Sequence, residues 1–332
     1  MKAIFRIILL FILYGCAENN TSVLQPIIED TYGLPNYWGE HLKEKIQQIQ
    51  KYEINNSSYT SFFFLTDYHI ENNAGFSHLI VECLQNNCST SSLVFGGDVF
   101  NGSSSKNVAL GYIKEFYNRF NKTKVFGIRG NHEFNLIDGG SRDVMLSDED
   151  VYEYFIKNIS DEVILGKSGS LYYYKDLISS KIRCIYLDSQ PINDEQIKWM
   201  EHCILDLSSD WSVILFSHHL FGFIPPRSST AEIKQTEYCS SGKLIIESLA
   251  SIKPAATIIA IISGHCHYDY STNEHGFWEI STTCDSRQEG SNLPQTLETI
   301  NEHALDVFYI NQSLRTIDAI RIGRGVNRSW SY

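Results

Sequence analysis

Five short apolar runs in this chain are each followed within a few residues by a side chain that carries a lone pair. Phe62–Leu65 is followed by Asp67 and His69, Leu93–Phe95 by Asp98, Val125–Ile128 by Asn131 and His132, Val213–Phe216 by His218, and Thr257–Ile262 by His265 and His267. Apolar runs of this length, bounded by glycine and polar residues, read as buried strands. Helical patterns over 75–84 and 108–120 separate the first three, a βαβαβ rhythm that implies a mostly parallel sheet covered by helices. Ligands of such sheets bind beyond the carboxyl ends of the strands. Here five strand ends bring nitrogen and oxygen donors to one edge.

The remaining pattern extends that frame. Trp38, Leu42, Ile46, Ile49 and Tyr52 recur at three- and four-residue spacing, an amphipathic helix that opens the folded body near Tyr37. Beyond the third strand the sequence predicts a helix over 148–158, strands at 171–174 and 182–187, and a helix over 193–207 with Ile197, Met200, Ile204 and Leu207 on one face. Strands follow at 213–216, 257–262, 276–280, 307–310 and 316–322. The second half is therefore strand-rich and is expected to form a second sheet packed on the first.

The spacing of the donors constrains their chemistry. In extended backbone alternate side chains point the same way, so Asp67 with His69, and His265 with His267, can each face a common site. Gly96 and Gly97 precede Asp98, Gly130 precedes Asn131, and Gly264 precedes His265; glycine permits the close backbone approach that a crowded site requires. Carboxylate, imidazole and amide oxygen together suit Mn, Fe or Zn better than calcium, which prefers all-oxygen cages. Seven donors, Asp67, His69, Asp98, Asn131, His218, His265 and His267, exceed the needs of one ion and suffice for two divalent ions sharing a carboxylate.

In chain order these motifs read D-x-H, G-G-D, G-N-H-E, an apolar strand ending S-H-H, and G-H-x-H. With this series running from about Phe62 to Tyr268, the chain resembles the calcineurin-like metallophosphoesterase family. The resemblance implies an α/β fold of two mixed β-sheets packed as a sandwich with flanking helices, in four αββα layers, with a dinuclear metal centre at the strand ends. It implies that Asp67, His69 and His267 hold the first metal, that Asn131, His218 and His265 hold the second, and that Asp98 bridges them. His132 would stay off the metals as the catalytic group, contacting the phosphate and protonating the leaving oxygen. The implied nucleophile is a metal-bridging hydroxide attacking phosphorus in line with the leaving group. The implied activity is that of a metal-dependent phosphatase or phosphodiesterase, cleaving a phosphomonoester or phosphodiester.

The sequence departs from the family pattern at three places. Purple acid phosphatases carry a tyrosine three residues after the bridging aspartate, where this chain has Asn101, so a tyrosinate-bound ferric ion is not expected. Leu220 replaces a proline often found after the paired histidines. Cys266 lies between two expected ligands, where threonine is common.

Other polar residues carry weaker signals. Isolated histidines are more often surface or satisfied core groups than ligands, and His41, His78, His202, His275 and His303 are read so. On a strand, His219 would point away from His218; it is kept with Arg129 as a candidate substrate contact, since arginine suits phosphate geometry. An arginine so placed more often pairs with a nearby carboxylate. Tyr172–Tyr174 fits strand packing. The long connections 134–147 and 220–240 adjoin expected ligands and are placed to shape a substrate pocket, which adds Arg142, Arg227 and Tyr238 as candidates.

The first residues describe targeting. A basic start and an apolar run from Ile7 to Tyr14, too short to span a bilayer, read as a secretory signal. Leu13, Tyr14, Gly15 and Cys16 resemble a lipobox, which predicts a signal peptide over 1–15, lipidation of Cys16, a polar tether over 16–36 and a catalytic domain over 37–332. The expected location is the periplasm or cell surface, with the membrane contacted through the lipid anchor. The net charge is −12, and cleavage before Cys16 would remove Lys2 and Arg6 as well. That balance disfavours nucleic acid as a partner, because non-specific binding needs Lys and Arg on phosphates. Without a C-x-x-C pair among the eight cysteines, a structural zinc module is not expected, and most thiols read as small core residues. Two alternatives remain at this point: a non-catalytic binding lipoprotein on the same fold, whose mark would be degenerate ligands, and a nuclease using the same site.

Overall fold

A computed structural model describes residues 32–56, 58–72, 75–136, 142–188, 192–220, 242–286 and 293–332. Cys16, Cys239, Arg227, Tyr238 and the whole of 1–31 fall outside these residues, as does the side chain of Arg142. Among the described residues, no helix is long and apolar enough to cross a membrane.

Helix α1 (Tyr37–Asn55) precedes the first βαβαβ unit, formed by β1 (Thr60–Leu65), α2 (Ser77–Asn87), β2 (Ser92–Phe95), α3 (Lys106–Arg119) and β3 (Lys124–Gly127). Next come α4 (Asp148–Phe155), β4 (Ile164–Leu165), β5 (Tyr173–Leu177), β6 (Ile182–Tyr186), α5 (Asp194–Leu205) and β7 (Ser212–Ser217). A further helix, α6, spans 242–251. The chain closes with β8 (Thr257–Ser263), β9 (Tyr270–Thr272), β10 (Trp278–Ser281), β11 (Ala304–Asn311), β12 (Thr316–Gly323) and β13 (Arg328–Ser331). Helix α4 begins where the sequence predicts because Ser147 and Asp150 form a reciprocal cap. It ends at Phe155, and a 3₁₀ segment, Lys157–Glu162, takes over the rest of the predicted helix.

The strands form two mixed sheets, of six strands in the order β13-β12-β11-β1-β2-β3 and of seven in the order β4-β5-β6-β7-β8-β10-β9. The predicted sandwich is present, with one difference. The last strands do not join the second sheet: β11 pairs antiparallel with β1, and β12 and β13 continue that first sheet outward. An apolar run such as Val307–Ile310 states that a strand is buried; it does not state beside which strand it lies.

Aromatic residues fill the space between the sheets. Phe62 of β1 meets Phe216 of β7 with ring centroids 5.3 Å apart, and Phe126 of β3 stacks on Tyr186 of β6 at 5.8 Å. Helices α1 to α4 cover the first sheet, with Trp38, Leu42, Ile46 and Ile49 of α1 buried in the larger core. Met200, Cys203 and Ile204 of α5 and Ile245 and Leu249 of α6 form a separate core with Ile185, Leu215 and Ile261 of the second sheet. The layers are therefore αββα. Because β1, β2 and β3 run parallel, as do β6, β7 and β8, the carboxyl ends that carry the donors lie together.

Candidate metal centre

All eight side chains singled out at the strand ends converge. Asp67, His69, Asp98 and His218 are at most 1% exposed. His267 Nε2 lies 3.1 Å from Asp67 Oδ1, and His218 Nε2 lies 3.2 Å from Asp98 Oδ2, 3.0 Å from Asn131 Oδ1 and 3.2 Å from His265 Nδ1. Donor atoms of Asp67, His69 and His267 fall within 4.8 Å of one another, as do those of Asp67, Asp98 and His218.

The backbone that achieves this is not the extended chain that the two-residue spacing suggests. Strands β1 and β8 stop at Leu65 and Ser263, and Asp67, His69, Asp98, His265 and His267 all take positive φ, between 42° and 62°. Residues other than glycine seldom adopt that region, and each instance costs about 1–3 kcal/mol. Bonds on both sides hold the first of these loops. Asp67 and His69 donate their amides to the carbonyls of Gly97 and Asp98, at 2.9 and 3.1 Å. On the other flank Asp285 donates its amide to the Thr66 carbonyl at 3.0 Å, and Ser286 Oγ donates to the Tyr68 carbonyl at 2.6 Å. Asp285 is in turn fixed by Ser77 and His303, so this lone histidine belongs to a satisfied, fully buried cluster.

The glycines before the donors matter through lack of volume. A Cβ on Gly130 would sit 2.1 Å from Asp98 Oδ1, and one on Gly264 would sit 1.9 Å from Thr66 Oγ1 and 2.6 Å from Asp67 Oδ2. At Gly97 conformation counts too, since its φ is 97° and a Cβ would lie 2.6 Å from the Gly130 amide.

Glu133, the last residue of G-N-H-E, stands outside the donor set expected from sequence, and it organises the centre. Its Oε2 accepts the amides of Asp98 and Gly130 at 3.0 and 2.6 Å, and its Oε1 accepts that of Val99 at 2.7 Å. Burial, with help from Asp98, pushes its carboxyl up to about 7. Its place directly after two donors in a glycine-led turn is the signal that marks it.

The electrostatics and the donor geometry fit bound cations. Burial disfavours charge on Asp67 and Asp98, yet the neighbouring imidazoles outweigh it and hold both carboxyls below the usual range, Asp98 far below. Burial holds His69 and His265 well below an ordinary imidazole, which keeps lone pairs available. Both ring nitrogens of His69 are buried without a hydrogen-bond partner. Around His218 Nε2 three lone-pair atoms crowd a nitrogen that has at most one proton to donate. An orphaned imidazole and an over-subscribed one are what a set of metal ligands looks like in hydrogen-bond terms.

His132 stands at the rim, partly exposed. Its amide donates to Asp98 Oδ1 at 2.9 Å and its Nδ1 contacts the Asn101 carbonyl at 2.5 Å, which leaves Nε2, 3.6 Å from Asp98 Oδ2, as the nitrogen facing the centre. Asn101, at the position of the phosphatase tyrosine, thus acts through its backbone, and its own amide is gripped by Glu71.

The weaker candidates divide. His219 does not point away from His218: β7 ends at Ser217, strand alternation ends with it, and the His219 ring lies 5.0 Å from that of His218 and 4.2 Å from that of His265. Arg129 is buried and engaged by Asp188, at 3.0 and 2.6 Å, and by Asp148 at 2.5 Å, the carboxylate pairing weighed against phosphate contact from sequence. Tyr173 is buried and stacked on Tyr186. Cys266 is buried, as are Cys83, Cys184, Cys203 and Cys284, all as free thiols.

Comparison with known proteins bears on the family and the fold. The family model described as calcineurin-like phosphoesterase matches residues 60–269. No curated protein matches the chain. Among solved structures it is similar to the purple acid phosphatase of yellow lupin (Lupinus luteus) seeds, at 13% identity and a TM-score of 0.55 over 83% of this chain and 54% of that one. A putative 5'-nucleotidase from Staphylococcus aureus matches at 13% identity and a TM-score of 0.43, over 82% of this chain and 54% of its own. The chain thus spans about half the length of either protein. The lupin likeness bears on the fold.

Proposed function

The chain belongs to the calcineurin-like phosphoesterase family, and from that premise we propose that it hydrolyses a phosphomonoester or phosphodiester at a centre of two divalent ions, anchored outside the cytoplasm. Membership makes it a metal-dependent phosphoester hydrolase; the number of ions, the ligand roles and the location are the proposal. The observation that carries it is the convergence on one edge of eight side chains, seven metal donors and His132, with His69 orphaned and His218 over-subscribed.

Asp67, His69 and His267 would hold one ion, Asn131, His218 and His265 the other, and Asp98 would serve both. When bound, Mn, Fe or Zn lowers the pKa of water and offsets negative charge on the phosphate. The chain supplies the rest. Glu133 and the loops around Asp98 and Asn131 fix the carboxylate and amide in place before substrate arrives, so little reorganisation is needed at reaction. His132, its Nδ1–H committed to the Asn101 carbonyl, would act as an imidazolium whose Nε2 passes its proton to the leaving oxygen and is left neutral. Such a donor contributes about 10²- to 10⁴-fold. His219, packed on His265, would meet substrate beside that residue.

Leu13–Cys16 supports a lipid anchor at Cys16. Labelled palmitate should enter the expressed chain and be lost in Cys16→Ser; equal labelling of both would remove the anchor from this reading. For the activity, the full chain is assayed with p-nitrophenyl phosphate and bis-p-nitrophenyl phosphate in Mn²⁺. Cleavage of at least one, abolished in Asp98→Ala, is expected, and inertness towards both across Mn²⁺, Zn²⁺ and Fe²⁺ would overturn it.

A further inference from the structure

At the opposite end of the sandwich, where β1, β2 and β3 begin, the sheets part around a cavity of about 650 Å³. Its floor is apolar, where Phe62, Val94, Phe126, Tyr186 and Phe216 of the two sheets pack together, and Thr60, Ser61 and Gln85 also belong to its lining. Its mouth carries Lys122, Lys124 and Lys175 with Glu162 as the acid among them. Lys124 and Lys175 approach from different sheets and both bond the Glu162 carboxylate, Lys175 loosely at 3.3 Å. Lys175 also lies over the Phe126 ring, 5.3 Å from its centroid. Lys122 is paired with Glu82. A cationic mouth over an apolar interior thus stands in a chain whose net charge is −12.

We propose that this cavity binds an amphiphilic carboxylate, with an unbranched alkyl chain between the sheets and its head group on Lys124 and Lys175. Apolar side chains from both sheets at the floor favour burial of an alkyl chain there. The volume lies in the range of small-molecule sites, about 300–1,000 Å³. Sheets stacked about 10 Å apart admit a slender chain more readily than a fused ring system. The head group is assigned from Glu162, whose carboxylate already takes the position between two lysines that a ligand carboxylate would take. The mouth of the cavity is separate from the metal centre: β1 runs from Thr60 at the cavity to Leu65 beside the donors, five steps of about 3.3 Å or roughly 17 Å.

Calorimetric titration of the full chain with sodium decanoate, below its micelle concentration and with EDTA present, tests this. Saturation at one decanoate per chain is expected. Lys175→Met should weaken binding by about tenfold, the loss of one charge contact, whereas Glu162→Gln should tighten it by removing the internal competitor. Decanol should bind more weakly than decanoate, and acetate not measurably. Val94→Phe, which fills the slot, should abolish binding while melting as a folded protein. Absence of saturable binding, loss of binding in EDTA, or equal affinity in wild type, Lys175→Met and Glu162→Gln would overturn the assignment.

Discussion

Replacing Glu133 by glutamine tests whether the metal loops are held from behind. The carboxylate accepts three amides, from Asp98, Val99 and Gly130, at 2.6 to 3.0 Å, with no exposed surface. The glutamine oxygen can serve at most the pair on one side; its NH₂ then faces an amide that also donates, leaving at least one buried N–H unmet. An unsatisfied buried donor costs about 1–3 kcal/mol, and at a pH well above 7, where the Glu133 carboxyl is ionised, the lost charge weakens the remaining bonds as well, since charge-assisted bonds are about twice as strong as neutral ones. Glu133→Gln should therefore lower unfolding stability by about 2–4 kcal/mol, a large fraction of the ~5–15 kcal/mol typical of a domain. Urea unfolding followed by tryptophan fluorescence, with EDTA in both samples, isolates this effect from metal binding. A change below about 0.5 kcal/mol, the range of ordinary surface substitutions, would refute the idea that Glu133 holds these loops.

Three further outcomes follow from particular contacts. Gly264→Ala places a Cβ 1.9 Å from Thr66 Oγ1 and 2.6 Å from Asp67 Oδ2; because backbone must move to relieve it, metal affinity measured by calorimetry should fall by at least about tenfold, and unchanged affinity would show that the loop adapts freely. His132→Asn should slow hydrolysis of an alkyl phosphate by about 10²- to 10⁴-fold and that of p-nitrophenyl phosphate much less, since a good leaving group needs no proton; equal losses on the two substrates would remove His132 from the donor role. Burial, reinforced by Lys45, holds the His41 imidazole down near 4, while its Nε2 accepts the Gly323 amide at 3.0 Å. With the folded value depressed below the unfolded one of about 6.5, its contribution is full above pH 6.5 and is lost as pH falls towards 4. His41→Gln should flatten stability across that window in urea titrations at stepped pH, and an unchanged slope would exclude His41.

The parts of this structure legible in sequence are those that short-range chemistry dictates. Strands β1, β2, β3, β6, β7 and β8 are written as apolar runs because both their faces are buried, and donors follow directly at the carboxyl ends of all of them but β6. Strands β4, β9 and β13 escaped notice because two to four polar or half-exposed residues carry no period, and their pairing depends on neighbours distant in the chain. Helix α6 follows a long connection without a strong start signal. The return of β11 to β1 is likewise a long-range choice that no local pattern records. Within the site, residue types and order point to the donor set, but the conformation does not follow from them. Positive φ at five of its residues is strain imposed by the surrounding bonds, where an alternating strand was the simpler expectation. His219 lies beside His265 for the same reason. Glu133 and Ser286 act on backbone groups, and nothing in a carboxylate or hydroxyl alone says which amide or carbonyl it will meet.

The central claim is that these donors form a pair of adjoining metal sites sharing Asp98, and metal content measures it most directly. After loading with Mn²⁺ and dialysis, elemental analysis of the full chain should find two ions per chain, one in His69→Ala, and less than one in Asp98→Ala. A wild-type chain that retains no more than one ion, or variants that retain as much metal as the wild type, would contradict the account.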